Sequence, residues 1–282
     1  ARKVVLVGCG GISRAWLTAA AQFDDVRIVG MVDLLPEAIE TRRSEFELEP
    51  IATGDDVEKV IADSGADTVF DCTVPPAHPH VVKTALATGC DVLGEKPMAE
   101  SMADARQMVE AARKAGKTYA VIQNRRYNPN IIRYRDAVQS GEIGALTTLN
   151  ADFYIGAHFG GFRDEMNHVL LVDMAIHSFD EVRFISGRDP VSVYCHEWNP
   201  AGSWYRHGAS AMAIFEMTGG LMVSYRGSWC SEGLNTSWEC AWRAIGERGT
   251  VLWDGFDTIA GERVDKDEGF RRPTVATVVA AA

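Results

Sequence analysis

Over the first 124 positions, short and almost continuously apolar runs alternate with amphipathic stretches. Residues 4–7, 26–32, 68–71, 90–93 and 118–122 have strand length. The first two show no polar face, as in a parallel sheet covered on both sides. Between them, 12–22, 36–47, 57–62, 78–88 and 102–115 have helix-forming composition, and Gly65, Gly89 and Gly116 stand as stop signals. The alternation predicts β-α-β crossovers and therefore a doubly wound α/β domain with a parallel sheet over 1–124.

The pattern then changes. Residues 128–140 read as a helix, 145–155 as a strand, and 170–185 as one long amphipathic helix ended by Gly187 and Pro190. Strand patterns follow at 191–198, 209–217, 221–229, 238–245 and 250–253, with a hairpin turn at Thr218-Gly219-Gly220. This predicts an α+β domain over 125–282 with a large, mostly antiparallel open sheet. No Ser- or Pro-rich linker separates the halves, so they are expected to pack along a cleft that carries the active site.

Composition narrows the function. The 282 residues are 46% hydrophobic and 24% charged, an ordinary globular balance. No run approaches the roughly 20 apolar residues of a membrane helix, and the first strand begins too early for an export signal, so no membrane association is expected. A net charge of -11 argues against a nucleic-acid partner, because non-specific affinity for nucleic acid comes from neutralising phosphates. The six cysteines are scattered without a C-x-x-C pair. That excludes a clustered metal site from the expectations and fits free thiols in a reducing cytoplasm.

Gly8-Cys9-Gly10-Gly11-Ile12 follows the first strand and opens a helix, the context in which such glycines receive a dinucleotide pyrophosphate. Gly8 permits the tight turn, while Gly10 and Gly11 let the backbone approach the ligand. Ser13 stands where a third glycine is usual; it is small enough for close helix packing. Asp33 ends the second strand about 20 residues further on, where a carboxylate accepts hydrogen bonds from the adenosine ribose and repels a 2′-phosphate. NAD is therefore expected in preference to NADP, with Arg42 and Arg43 read as helix-surface residues. Thr73, Pro75, Pro76 and His78 follow another strand on the same sheet edge and are expected to border the cofactor.

Glu95-Lys96-Pro97 follows the strand at 90–93. An ammonium group there has a use: it steadies negative charge on a reacting oxygen as hydride moves, with Glu95 orienting or balancing it. Asp173 and His177 are four apart, which on a helix puts both on one face. An acid–imidazole pair that merely stabilises the helix fits the same spacing.

Taken together, the glycine turn, Asp33, Pro75-Pro76 with His78, Glu95-Lys96-Pro97, Asn124-Arg125-Arg126-Tyr127-Asn128-Pro129 and the segment from Leu171 to Asp180 resemble the Gfo/Idh/MocA family, named for glucose-fructose oxidoreductase, inositol dehydrogenase and rhizopine catabolism. The resemblance covers nearly the whole chain. It implies a Rossmann domain that binds NAD(P), followed by a domain for substrate binding and oligomerisation. It further implies hydride transfer between nicotinamide and a secondary alcohol or ketone of a sugar, cyclic polyol or derivative. His177 would be the general acid/base, with Asp173 orienting a neighbouring hydroxyl. Arg125 and Tyr127 on the crossing segment, and His158, Arg163 and His168 on the loop before the helix, are expected to contact substrate. Asp180 is read as a structural residue. A homodimer or homotetramer through the C-terminal sheet is expected. The chain ends soon after Asp267-Glu268-Gly269, where the family usually continues into a closing helix. Two other readings stay open: an NAD-retaining glycosidase that uses transient oxidation, and a non-catalytic NAD-binding sensor of the same fold.

Overall fold

The computed structural model describes residues 1–277 and residue 279. The chain forms two compact units, Ala1–Ile122 and Gln123–Ala282.

In the first unit, strands β1 (Arg2–Val7), β2 (Val26–Val32), β3 (Ala52–Gly54), β4 (Thr68–Asp71), β5 (Asp91–Gly94) and β6 (Tyr119–Val121) form one parallel sheet in the order β3-β2-β1-β4-β5-β6. The connections are helices α1 (Ser13–Ala20), α2 (Pro36–Glu45), α3 (Val57–Ser64), α4 (His78–Ala87) and α5 (Met102–Ala115). Why β1 has no polar face is plain from its packing. Val5 and Val7 enter one apolar cluster with Val60, Val81 and Met108, while Leu6 enters another with Trp16, Leu17 and Met31. Alternate side chains thus serve opposite layers. Asp56 and Ser101 cap α3 and α5 by accepting the N–H of Lys59 and Asp104, and Gly65 and Gly116 end the same helices at φ 62° and 64°. β3 was not anticipated, because Ala-Thr-Gly carries no apolar run.

In the second unit, β7 (Leu146–Tyr154), β8 (Pro190–Trp198), β9 (Ser210–Met217), β10 (Met222–Ser228), β11 (Ala241–Gly246), β12 (Gly249–Trp253), β13 (Ile259–Val264) and β14 (Thr274–Ala276) form an eight-stranded sheet in the order β14-β13-β12-β11-β7-β10-β9-β8. Among the described residues, every pairing in it is antiparallel except β7 with β10. The helices are α6 (Pro129–Gln139), the one-turn α7 (Phe162–Glu165) and α8 (Ile176–Ser186); α6 and α8 bury Ile131, Tyr134, Val182 and Ile185 in a cluster with Leu149, Phe153, Val223, Tyr225 and Trp242 of the sheet. The opposite sheet face leaves Tyr194, Met212, Ile214, Met222 and Leu252 exposed.

Two elements depart from expectation. The stretch read as one helix begins with a π-helical segment, Leu170–Ala175, before α8. Over six residues, α- and π-periods turn nearly the same side chains inward, so the apolar pattern does not separate them. The strand expected from residue 238 starts only at Ala241, because Cys240 sits at φ 63° and turns the chain. β13 and β14 extend the sheet beyond the strands that were anticipated. No helix among the described residues is long and apolar enough to cross a membrane.

Candidate functional site

Gly8 has φ 89°, and a Cβ there would lie 2.7 Å from the Cys72 carbonyl carbon and 2.9 Å from the Thr73 nitrogen. Only glycine lets β1 turn this close to the end of β4. Gly10 and Gly11 differ: a Cβ at either meets nothing within 4 Å, and neither has positive φ. The fold itself does not require glycine at either position, and the bare backbone leaves room for an external group to approach. α1 begins at once, with no side-chain cap and no acid in its first turn. Ile12, the cap residue, is exposed. These residues fit a pyrophosphate.

Asp33 closes this turn. Its Oδ2 accepts the Cys9 N–H at 2.7 Å and its Oδ1 accepts the Leu35 N–H at 2.9 Å. Beside it, Leu34, Pro36, Ile39, Pro50 and Ile51, together with Glu40, Arg43 and Asp55, line a pocket of about 520 Å³ of mixed apolar and charged walls. Arg42 is not a plain surface residue, contrary to the sequence reading. It folds back on the glycine turn, donating to the Gly10 carbonyl at 3.2 Å and to Ser13 Oγ at 3.0 Å, and pairs with Glu45 at 2.6 Å. Arg43 is held by Glu40. Burial, with the charge of Asp33 added, pushes the Cys9 thiol up to about 12, so it stays protonated beneath the turn.

A second layer of contacts fixes the loops after β4 and β5. Asp71, fully buried, accepts from both the N–H (3.1 Å) and the hydroxyl (2.6 Å) of Thr73. Burial raises its carboxyl above the usual range, against the opposing influence of His78 and these hydrogen bonds. The ring nitrogens of His78 lie 2.9 Å from the Pro97 carbonyl oxygen and 3.0 Å from that of Thr73. His78 is 1% exposed. With both ring nitrogens against backbone carbonyls, it ties the 73–77 loop to the 95–97 loop from inside. Pro75 is likewise buried in the turn. Glu95 accepts the Trp16 indole N–H at 2.7 Å and the Lys96 backbone N–H at 3.2 Å. Its carboxylate thus anchors the loop that presents half-buried Lys96.

In the second unit, Asp173 and His177 are both buried, at 6% and 5% exposure. His177 Nδ1 lies 2.8 Å from Gln123 Oε1. The amide oxygen can only accept, so in the neutral ring the proton is on Nδ1 and the lone pair on Nε2. Asp173 receives Arg163 Nε at 2.8 Å and, more loosely, Nη2 at 3.4 Å. The same guanidinium also contacts the rings of Phe159 and Phe162, 4.9 and 4.8 Å from their centroids.

Of the other expected substrate residues, Arg125, His158 and His168 have defined partners. Arg125 donates to the Trp238 carbonyl and to Glu239, both at 2.7 Å. Tyr127 stands exposed on a pocket that also includes Asn124, Asn128 and Trp238. His158 stacks on Trp204 at 3.6 Å and meets Glu232 at 2.8 Å. His168, at φ 55°, meets Glu197 at 2.6 Å. Asp180 pairs with Arg126. Sequence reasoning missed Gln123, Trp16, Asp71 and Glu239. For Gln123 a signal existed in its place next to the crossing segment, and Asp71 stands only two positions from its partner Thr73 at the end of β4; Trp16 and Glu239 hold partners too distant along the chain to be read.

Comparison with known proteins follows the same division. A model of an oxidoreductase family with an NAD-binding Rossmann fold, Gfo/Idh/MocA, matches residues 2–123, and one of the GFO/IDH/MocA C-terminal domain matches residues 131–252. The chain is 30% identical over 194 residues to 1,5-anhydro-D-fructose reductase of Ensifer adhaerens, covering 67% of this chain and 57% of the relative. It is 28% identical over 197 residues to inositol 2-dehydrogenase of Rhizobium meliloti, covering 67% and 56%. It therefore spans a little over half the length of these two relatives. Among solved structures, an oxidoreductase from Agrobacterium radiobacter in complex with NAD+, L-tartaric acid and magnesium shares the fold, with a TM-score of 0.84 at 22% identity over 98% of this chain and 79% of that one.

Proposed function

The chain belongs to the Gfo/Idh/MocA oxidoreductase family, and from that premise we propose that it moves hydride reversibly between NAD and a secondary alcohol or ketone of a sugar, cyclic polyol or derivative. The observation that carries the proposal is the orientation of His177. Its Nδ1–H is committed to Gln123, so the neutral ring offers Nε2 as a base for a hydroxyl proton. Asp173, clamped by Arg163, orients a neighbouring hydroxyl. Lys96, on the loop anchored through Glu95 and His78, steadies the oxygen as it gains negative charge. NAD, when bound, supplies the ring that accepts hydride.

We assign NAD over NADP because Asp33 opposes a 2′-phosphate, and because Arg42 and Arg43 are already paired with Glu45 and Glu40. We also propose self-association through the exposed sheet face around Tyr194, Met212 and Ile214. A reducing, cytoplasmic setting fits six unpaired cysteines, four of them buried. The test is a panel of sugars, inositols and their keto derivatives followed by NADH or NADPH absorbance. Turnover is expected with NAD on at least one polyol or sugar, and Lys96→Met is expected to abolish it while NAD binding by calorimetry survives. Undiminished turnover in K96M overturns the assignment.

A further inference from the structure

Ser13 stands where the glycine pattern usually carries a third glycine, and the structure gives that departure a use. Its hydroxyl donates to the Gly10 carbonyl at 2.6 Å and accepts Arg42 Nε at 3.0 Å. Arg42 Nη2 donates to the same carbonyl at 3.2 Å, and so does the Ser13 backbone N–H, also at 3.2 Å. Ser13 is fully buried, and the Arg42 side chain is 15% exposed. Arg42 Nη1 is held by Glu45 at 2.6 Å, and Glu45 pairs in turn with Arg14 in the first turn of α1. One guanidinium of α2 thus ties the glycine turn to the start of α1. A glycine at residue 13 has no hydroxyl to complete that link.

The next peptide bond carries the consequence. The Gly10–Gly11 peptide is trans, so its C=O and N–H point in opposite directions. With the carbonyl held toward Ser13 and Arg42, the Gly11 N–H is turned away from them. Neither it nor the Ile12 N–H has a hydrogen-bond partner among the described residues, and a Cβ at Gly10 or Gly11 would meet nothing within 4 Å. Two successive glycines leave this peptide free to rotate unless something holds it, and a rotated peptide would turn a carbonyl oxygen toward the ligand.

We propose that Arg42 is a positioning residue for the cofactor: it locks the Gly10–Gly11 peptide with its N–H outward, ready for an anionic pyrophosphate. The role rests on the NAD binding given above. It is positioning rather than plain attraction, because the charge of Arg42 is already matched by Glu45. Asp33 pins the preceding residue through the Cys9 N–H at 2.7 Å, so the turn is held at its N–H on Cys9 and at its carbonyl on Gly10.

Arg42→Met is tested by calorimetry with ADP, NAD and adenosine as probes. In R42M, ADP and NAD are expected to bind about tenfold more weakly, the order of one charge-assisted hydrogen bond, while adenosine, which has no phosphate, binds as it does to the wild type. The pocket beside Asp33 includes Pro36, Ile39, Glu40 and Arg43 of α2 in its wall. A general shift of α2 would therefore weaken adenosine as much as ADP, and that result overturns the proposal. Arg42→Lys keeps the charge, but one ammonium cannot span Gly10, Ser13 and Glu45 as the planar fork does, so R42K is expected to bind ADP more nearly as R42M does. Full recovery in R42K, or disappearance of the R42M defect in about 0.5 M salt, where exposed charges are screened, would make attraction the cause and overturn positioning. Undiminished ADP binding by R42M overturns it too, with the NAD reading left standing. Failure of the wild type to bind ADP or NAD is a separate result, which removes the NAD reading itself and this role with it.

Discussion

Replacing Arg163 by Met probes the clamp on Asp173 directly. The carboxylate is 7% exposed and the guanidinium 30%, so the pair is shielded without being sealed. It has one short charge-assisted hydrogen bond, 2.8 Å, and one at the outer edge of bonding distance, 3.4 Å. Together these are worth about 1.5–3 kcal/mol. The two ring contacts add about 0.5–1 kcal/mol each, part of which a methionine recovers through its own contact with the rings. Solvent at the guanidinium screens some of the charge term. A net loss of about 2–3 kcal/mol follows, equivalent to a fall of about 5–10 °C in the melting of the second unit.

Calorimetry of wild type, R163M, Arg163→Lys, Asp173→Asn and the R163M/D173N pair measures it. Lysine restores the charge without the planar fork and is expected to recover less than half of the loss. The double-mutant cycle isolates the bond from the ring contacts, and its coupling is expected at about 1.5–2 kcal/mol. A coupling below about 0.5 kcal/mol, or an R163M melting curve that overlays the wild type, would refute the claim that Arg163 holds the Asp173 carboxylate.

Three further outcomes are expected. Gly8→Ala puts a methyl 2.7 Å from the Cys72 backbone at φ 89°, so it should cost at least about 2 kcal/mol and weaken NAD binding more than tenfold by calorimetry; Gly11→Ala, which meets no protein atom, should weaken NAD binding with little change in melting temperature. Gln123→Leu should leave the fold intact, since it removes one hydrogen bond worth about 1 kcal/mol, yet lower kcat on any substrate the panel identifies by about tenfold or more, because the acceptor that favours the proton on His177 Nδ1 is lost. Ile214→Glu, on the exposed sheet face and opposite Tyr194 on β8, should shift the mass measured by light scattering towards the monomer without changing the circular dichroism spectrum.

What could be read from the sequence was local. The apolar run of β1 from Val4 to Val7 and the largely apolar β2, the glycines that end α3 and α5, and the turn at Gly8 each depend on a few neighbouring residues, and each appears in the fold where the pattern put it. Lys96, Asp173 and His177 stood out by residue type and spacing, which is also local information. Their supports did not, for a physical reason. Trp16 reaches Glu95 across 79 positions, Arg125 reaches Glu239 across 114, and Gln123 reaches His177 across 54. A hydrogen bond between side chains leaves no periodic trace on either partner, so each such residue reads as an ordinary polar position. Arg42 illustrates the point from the other side. On the helical repeat it belongs to a solvated face, and only the return of α2 past the glycine turn gives its guanidinium the Gly10 carbonyl and Ser13 hydroxyl as partners. The reacting groups of a site are constrained by chemistry that one residue can announce, whereas the groups that orient them are constrained by the fold, and they become legible only when the chain is closed.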